Sequence, residues 1–90
     1  MFLEFAVKYF RLKYGMEPER TTCIGTYPEE NPTHFVYEIS VGEGTVNHLL
    51  SNMVVEVTDK GMMAREIQDE EEMRTIKQLR EAWEDNADGQ

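Results

Sequence analysis

The segment HFVYEISV, residues 34–41, alternates apolar and more polar side chains and is the strongest strand pattern in the chain. Four apolar side chains share one face: Phe35, Tyr37, Ile39 and Val41. Alternation over eight residues is typical of a β-strand, because successive side chains point to opposite faces of the sheet. The mixed second face predicts a sheet that is covered on one side and partly wet on the other.

A second strand is predicted before this one. The segment TTCIGTY, residues 21–27, is rich in threonine, and PEENPT, residues 28–33, carries two prolines and is typical of a turn. The segment TVNHLLSN, residues 45–52, is compatible with one or two helical turns capped by Thr45, and equally with an irregular crossing. Both interpretations of residues 45–52 remain open at this point.

A hairpin is predicted over residues 53–67. The segments MVVEV and MMAREI resemble strands, and between them TDKG combines an acidic residue with a glycine, as tight turns do. Gly61 is expected to take a left-handed backbone conformation, which glycine adopts without steric cost.

Residues 2–14 carry the pattern of a helix that ends at Gly15. Its charges fall only at positions 4, 8, 11 and 13, so the helix is apolar nearly all round. Since one small sheet is not expected to cover that perimeter, we predict that part of it binds a second copy of the chain. The residues predicted for self-association are Phe2, Phe5, Tyr9 and Leu12.

The segment DEEEMRTIKQLREAWED, residues 69–85, predicts a second helix. Asp69 stands at the N-cap position, Glu72 completes a capping-box pattern, and the acids of the first turn suit the helix dipole. An apolar stripe follows, made of Met73, Ile76, Leu79, Ala82 and Trp83. The outer face is predicted to bind a partner through Glu70, Glu71, Arg74, Lys77, Glu81 and Glu84.

The order of these elements predicts an α+β fold. We expect an antiparallel sheet of about four strands with an N-terminal and a C-terminal helix packed on one face. Ninety residues support a single core, so residues 1–86 are predicted to form one domain and residues 87–90 a disordered tail.

Net charge limits the range of partners. The chain carries a formal net charge of -9, and residues 66–90 contain nine acidic and three basic residues. Because nucleic-acid affinity depends on neutralising phosphates, direct nucleic-acid binding is not expected. No segment has the roughly 18 apolar residues of a membrane span. With Cys23 as the sole cysteine, a reducing, cytoplasmic location is expected.

No motif for catalysis, a metal or a cofactor is present in the sequence. His34 and His48 have no second ligand at zinc spacing, and Cys23 has no local nucleophile motif, so it is interpreted as a buried strand cysteine. The outline of a recognition helix and winged hairpin over residues 44–67 lacks the basic contact residues that such modules need.

These observations favour a small, acidic, non-catalytic protein-interaction or regulatory module that self-associates as a homo-oligomer. Two alternatives remain. The acidic end can imitate nucleic acid and inhibit a basic partner, or a pocket between helix and sheet can hold a small ligand. Four of the methionines, Met53, Met62, Met63 and Met73, are interpreted first as core filling and second as an adaptable binding face.

Overall fold

The computed structural model describes the backbone of residues 2–88 and the side chains of residues 2–82. Two helices flank four strands: α1 (Phe2–Tyr14), β1 (Arg20–Tyr27), β2 (His34–Val41), β3 (Leu49–Thr58), β4 (Gly61–Glu66) and α2 (Glu70–Asp88). The strands form one antiparallel sheet in the order β1-β2-β3-β4. The α+β class is therefore confirmed. Neither of the described helices combines the length and the apolarity needed to cross a membrane.

The local predictions agree closely with these elements. The bounds of α1 and β2 match the predicted ranges, and Gly15 ends α1 at φ +65° while its N–H donates to the Arg11 carbonyl at 2.8 Å. The predicted hairpin is formed by β3 and β4, with Asp59 and Lys60 as the two loop residues and Gly61 at φ +126°. Turn chemistry and alternation were sufficient to locate these elements.

Residues 45–52 form a turn followed by the start of β3, and not a helix. Strand β3 already begins at Leu49, and the preceding loop is closed by Thr45, whose N–H and hydroxyl both donate to the Gly42 carbonyl, at 3.0 and 2.7 Å. Gly42 has φ +69°, and a Cβ there would lie 2.9 Å from the Asn47 carbonyl oxygen. The cap predicted at Thr45 therefore closes a loop, not a helix.

The predicted packing of both helices on one face is wrong. Helix α1 packs on the face of the sheet that carries Tyr37, Ile39, Met53 and Val55. Helix α2 packs on the opposite face. The core on the α2 side contains Ile24, Val36, Val54, Ile67 and Ile76. Three layers result, with the sheet in the middle.

The physical reason is that β2 and β3 are apolar on both faces. Val36 and Val54 are neighbours in the β2–β3 register and point away from α1, and both are completely buried. If these two side chains stayed in water, folding would lose roughly 1.5–3 kcal/mol of hydrophobic free energy for each of them. The polar residues of this face, His34, Glu38 and Ser40, suggested a wet surface, but Val36 between them requires a cover.

Helix α2 lies close to the first strand. Opposite it, β1 has a β-bulge between Cys23 and Gly25. A Cβ on Gly25 would lie 3.1 Å from Cδ2 of Leu79, tighter than ordinary van der Waals contact, so the glycine allows this approach. Cys23, next to this bulge, is exposed, which corrects its interpretation as a buried strand cysteine.

The start of α2 is capped as predicted, but only in part. The Asp69 side chain accepts a hydrogen bond from the Glu71 N–H at 3.1 Å, and its carbonyl accepts one from the Met73 N–H at 2.9 Å. Glu72 does not complete a capping box, because its carboxylate binds Arg65 instead. The helix continues to Asp88, past the predicted domain end at residue 86. Residues 89–90 of the predicted tail lie outside the described residues.

Helix α1 is covered more fully than its sequence suggested. Ala6 and Phe10 are completely buried. Five further side chains pack partly buried against the same core: Phe2, Phe5, Val7, Tyr9 and Tyr14. Leu12 is 78% exposed. The sheet therefore covers most of the apolar perimeter, and the uncovered remainder is a narrow strip.

The packing of α2 on the second face can be tested at Ile76, which is 4% exposed. Ile76→Ala is expected to lower the free energy of unfolding by about 2–5 kcal/mol, because it removes buried methyl groups and leaves a cavity. Urea denaturation at low protein concentration measures this change. The control is Val46→Ala, a fully exposed site in the β2–β3 loop, with an expected change within about 0.5 kcal/mol. Equal effects at the two sites would contradict the three-layer packing.

Candidate functional site

Strand β4 forms an open edge of the sheet. It pairs with β3 on one side, and within residues 2–88 no strand pairs with its other side. Its six residues contain no proline, and its register with β3 runs without a bulge. The opposite edge, β1, is interrupted by its bulge. Since a regular open edge offers unpaired N–H and C=O groups to another chain, β4 is the better template for strand addition.

The charged residues of β4 do not protect this edge. Arg65 turns to the α2 face, where its Nη1 donates to Oε1 of Glu72 at 2.6 Å. Glu66 turns to the α1 face and accepts from the Ser51 hydroxyl at 2.5 Å. Charges on edge strands usually deter edge-to-edge pairing, but these two are held by partners within the same chain.

An apolar strip of α1 lies beside this edge. Phe5, Tyr9 and Leu12 follow one another at helical spacing on the side of α1 that faces β4. Together with Lys8 and Ala64 they line a shallow groove of about 210 Å³. These three residues belong to the predicted self-association set. The fourth, Phe2, stacks on Phe35 of the same chain with ring centroids 4.3 Å apart.

Glu66 fixes the end of α1 against β4. Its carboxylate accepts hydrogen bonds from Lys13 Nζ at 2.9 Å, from the Tyr14 hydroxyl and from Ser51. Burial alone raises the pKa of the Glu66 carboxyl, but the three donors outweigh it and lower the pKa to about 2 from an ordinary 4.5. This cluster joins α1, β3 and β4, so it sets the position of the apolar strip relative to the open edge.

A second polar cluster holds the start of α2 on the other face. Besides Arg65, Glu72 accepts a hydrogen bond from the Tyr27 hydroxyl at 3.2 Å. The Tyr27 ring stacks on the His34 ring at 4.5 Å, and His34 Nε2 lies 3.4 Å from Oε1 of Glu56. The hydrogen bond from Arg65 lowers the pKa of Glu72, while burial raises the pKa of Tyr27 to about 12. These groups bind one another, which is the arrangement of a structural clamp.

These contacts show the roles of the four acidic residues at positions 69–72. Asp69 caps the helix, Glu72 turns inward to Arg65, and Glu70 and Glu71 stay exposed. The four neighbouring acids therefore divide between folding and surface roles. The sequence predicted Asp69 as the cap and Glu72 as its capping-box partner, because helical spacing does not show which carboxylate reaches across to another strand.

Most of the predicted partner-binding residues of α2 have exposed side chains. The side chains of Glu70, Glu71, Arg74, Lys77 and Glu81 are exposed, whereas that of Glu84 lies outside the described residues. Glu70, Arg74 and Lys77 border a groove on one side of the helix, and Glu71 borders a cleft on the other. Partner binding at these residues therefore stays a prediction.

The other chemical candidates stay apart. Among the described side chains no group of three or more His, Cys, Asp and Glu residues is placed to hold a metal ion. His34 is engaged at both ring nitrogens, with Nδ1 lying 2.8 Å from the Thr33 hydroxyl and Nε2 close to Glu56. His48 is exposed in the β2–β3 loop.

Comparison of the chain with protein-family models, with curated proteins and with solved structures finds no match. The function is therefore inferred from the geometry of the chain itself. The feature that stands out is the open β4 edge beside the strip of Phe5, Tyr9 and Leu12.

The Glu66 cluster predicts a pH-dependent stability. Because the pKa of Glu66 is about 2 in the folded chain and 4.5 ordinarily, its contribution is complete above pH 4.5 and disappears as the pH falls towards 2. Glu66→Gln is expected to lower the free energy of unfolding by about 1–3 kcal/mol at pH 7 and to have little effect near pH 2. Urea denaturation across this pH range measures the difference.

The matched control is Glu43→Gln, which removes an exposed pair whose Arg20 Nη1 and Glu43 Oε1 atoms lie 3.2 Å apart. Exposed pairs contribute about 0–1 kcal/mol, so little change is expected at any pH. A Glu66→Gln deficit that stayed constant from pH 7 to pH 2 would show that the carboxylate charge is not what stabilises the cluster.

Proposed function

We propose that this chain is a small, non-catalytic protein-interaction module of the cytoplasm that self-associates through the β4 edge and the adjacent strip of α1. The observation that carries the proposal is the exposure of Leu12, 78%, beside a strand edge that no other strand of residues 2–88 covers. An apolar strip and an unpaired edge are each common, but side by side they form a surface suited to strand addition.

The fold allows two copies to form a closed, twofold-symmetric dimer through this contact. Antiparallel pairing of β4 with the β4 of a second copy, about a twofold axis perpendicular to the sheet, joins two four-stranded sheets edge to edge. Both α1 helices then lie on the same face of the joined sheet. The strip of Phe5, Tyr9 and Leu12 on one copy meets the same strip on the other, so each copy covers the apolar groove of its partner.

Charge opposes this association. Two copies with a net charge of -9 each repel one another, and added salt weakens that repulsion. Self-association should therefore strengthen as the salt concentration rises. This dependence distinguishes the proposal from acidic mimicry of nucleic acid, since binding to a basic partner weakens with salt.

The proposal can be tested by placing a charge in the strip. Leu12→Glu is expected to shift the chain from dimer to monomer in sedimentation equilibrium at high micromolar concentration, because it would bury a carboxylate in an apolar contact. Since Leu12 makes little contact within its own chain, the melting temperature of the monomer should hardly change. The same chemical change at the exposed loop position, Val46→Glu, should leave the dimer intact.

Hydrogen exchange locates the contact independently. Amide protons of β4 should exchange more slowly as the wild-type concentration rises, and those of the β1 edge should not. A wild-type chain that stays monomeric in high salt would refute the proposal. So would a dimer that is insensitive to Leu12→Glu.

A further inference from the structure

A second groove runs between α2 and the sheet, on the face opposite the proposed dimer contact. Its volume is about 520 Å³, within the range of small-molecule sites. Its lining comes from one strand and one helix: Asn52, Glu70, Met73, Arg74, Ile76, Lys77 and Arg80. Because α2 packs mainly on β1, the part of this face around Leu50 at the start of β3 stays exposed.

The inner wall of the groove is apolar. Ile76 belongs to the buried core of this face, and Met73 beside it is 38% exposed. Leu50, on the same face of β3 as Asn52, is also exposed. A ligand with an apolar body would therefore remove apolar surface of Met73 and Ile76 from water.

Asn52 adds a polar group to this wall. Its side-chain Oδ1 is buried, and no described group donates a hydrogen bond to it. Its cross-strand neighbour Glu38 pairs with Arg80. A buried acceptor without a donor is costly, so a hydroxyl or N–H group that enters the groove would gain a hydrogen bond there.

The rim of the groove is cationic. Arg74 and Lys77 lie one helical turn apart and are exposed, and no described acidic group forms an ion pair with either. Glu70 is the acid of the lining, at the beginning of the helix. In a chain of net charge -9, two neighbouring cations that pair with no acid of residues 2–82 favour an anionic group, and a guanidinium favours a carboxylate in particular.

We propose that this groove binds a small, mainly apolar carboxylate that carries a hydrogen-bond donor at its other end. The carboxylate lies at Arg74 and Lys77, the apolar body lies along Met73 and Ile76, and the donor bonds Oδ1 of Asn52. This function is separate from self-association, because its residues lie on the other face of the sheet.

The probe is 3-(4-hydroxyphenyl)propionate, which has a carboxylate, an apolar ring and a terminal hydroxyl. Titration of the full chain is expected to shift the NMR methyl signals of Met73 and Ile76 and to raise the melting temperature by mass action. Two matched compounds assign the contacts. Removing the hydroxyl, in 3-phenylpropionate, should weaken binding about fivefold, and tyramine, with an ammonium in place of the carboxylate, should not bind.

Variants test the same assignment from the protein side. The double change Arg74→Gln and Lys77→Gln is expected to weaken binding of 3-(4-hydroxyphenyl)propionate about tenfold or more. Asn52→Leu should remove the preference for the hydroxylated compound over 3-phenylpropionate. Lys60→Gln, which removes an exposed cation in the β3–β4 turn, should leave both affinities unchanged.

Three results would overturn the proposal. The first is equal binding of tyramine and 3-(4-hydroxyphenyl)propionate, which would mean that charge is not recognised. The second is the absence of methyl shifts at Met73 and Ile76 at millimolar concentrations of the probe. The third is a shift of these methyl signals with protein concentration alone, which would place a second copy in the groove. None of the three bears on the effect of Leu12→Glu, so the two proposals fail separately.

Discussion

The architecture depends on the apolar character of both faces of β2 and β3. Phe35, Tyr37 and Ile39 require cover on one side, while Val36 and Val54 require it on the other. A sheet with two apolar faces is stable in water only as the middle layer, which is why the two helices separate to opposite sides. Each helix then has a face to itself, and neither is wide enough to cover four strands.

The uncovered strips are the sites that we propose. Helix α1 extends across β2, β3 and β4, and the Glu66 cluster holds its end against β4. Its partly exposed apolar strip therefore lies beside the open edge. Helix α2 packs towards β1, where Gly25 permits close approach, so its face of the sheet stays exposed around Leu50 at the start of β3. The contacts that position the helices thus also determine what each leaves exposed.

Much of the fold could be predicted from local patterns. Alternation located β2, turn chemistry located the β3–β4 hairpin, and Gly15 and Asp69 marked helix ends, because these signals depend on neighbouring residues. The site was predictable only in part. The exposure of Leu12 was predictable, because α1 has more apolar surface than one sheet covers. The stacking of Phe2 on Phe35 was not, because it depends on how α1 crosses the sheet.

Local sequence signals specify the α+β class and most of the elements, because period, capping and turn residues act over a few positions; the start of β3 at Leu49 is the exception. Tertiary packing specifies which face each helix covers, which carboxylate of the acidic run turns inward to Arg65, and that Arg74 and Lys77 border a groove with Asn52. These features join residues far apart in the chain. Their positions follow from how all the layers pack together, and no short stretch of sequence contains that information.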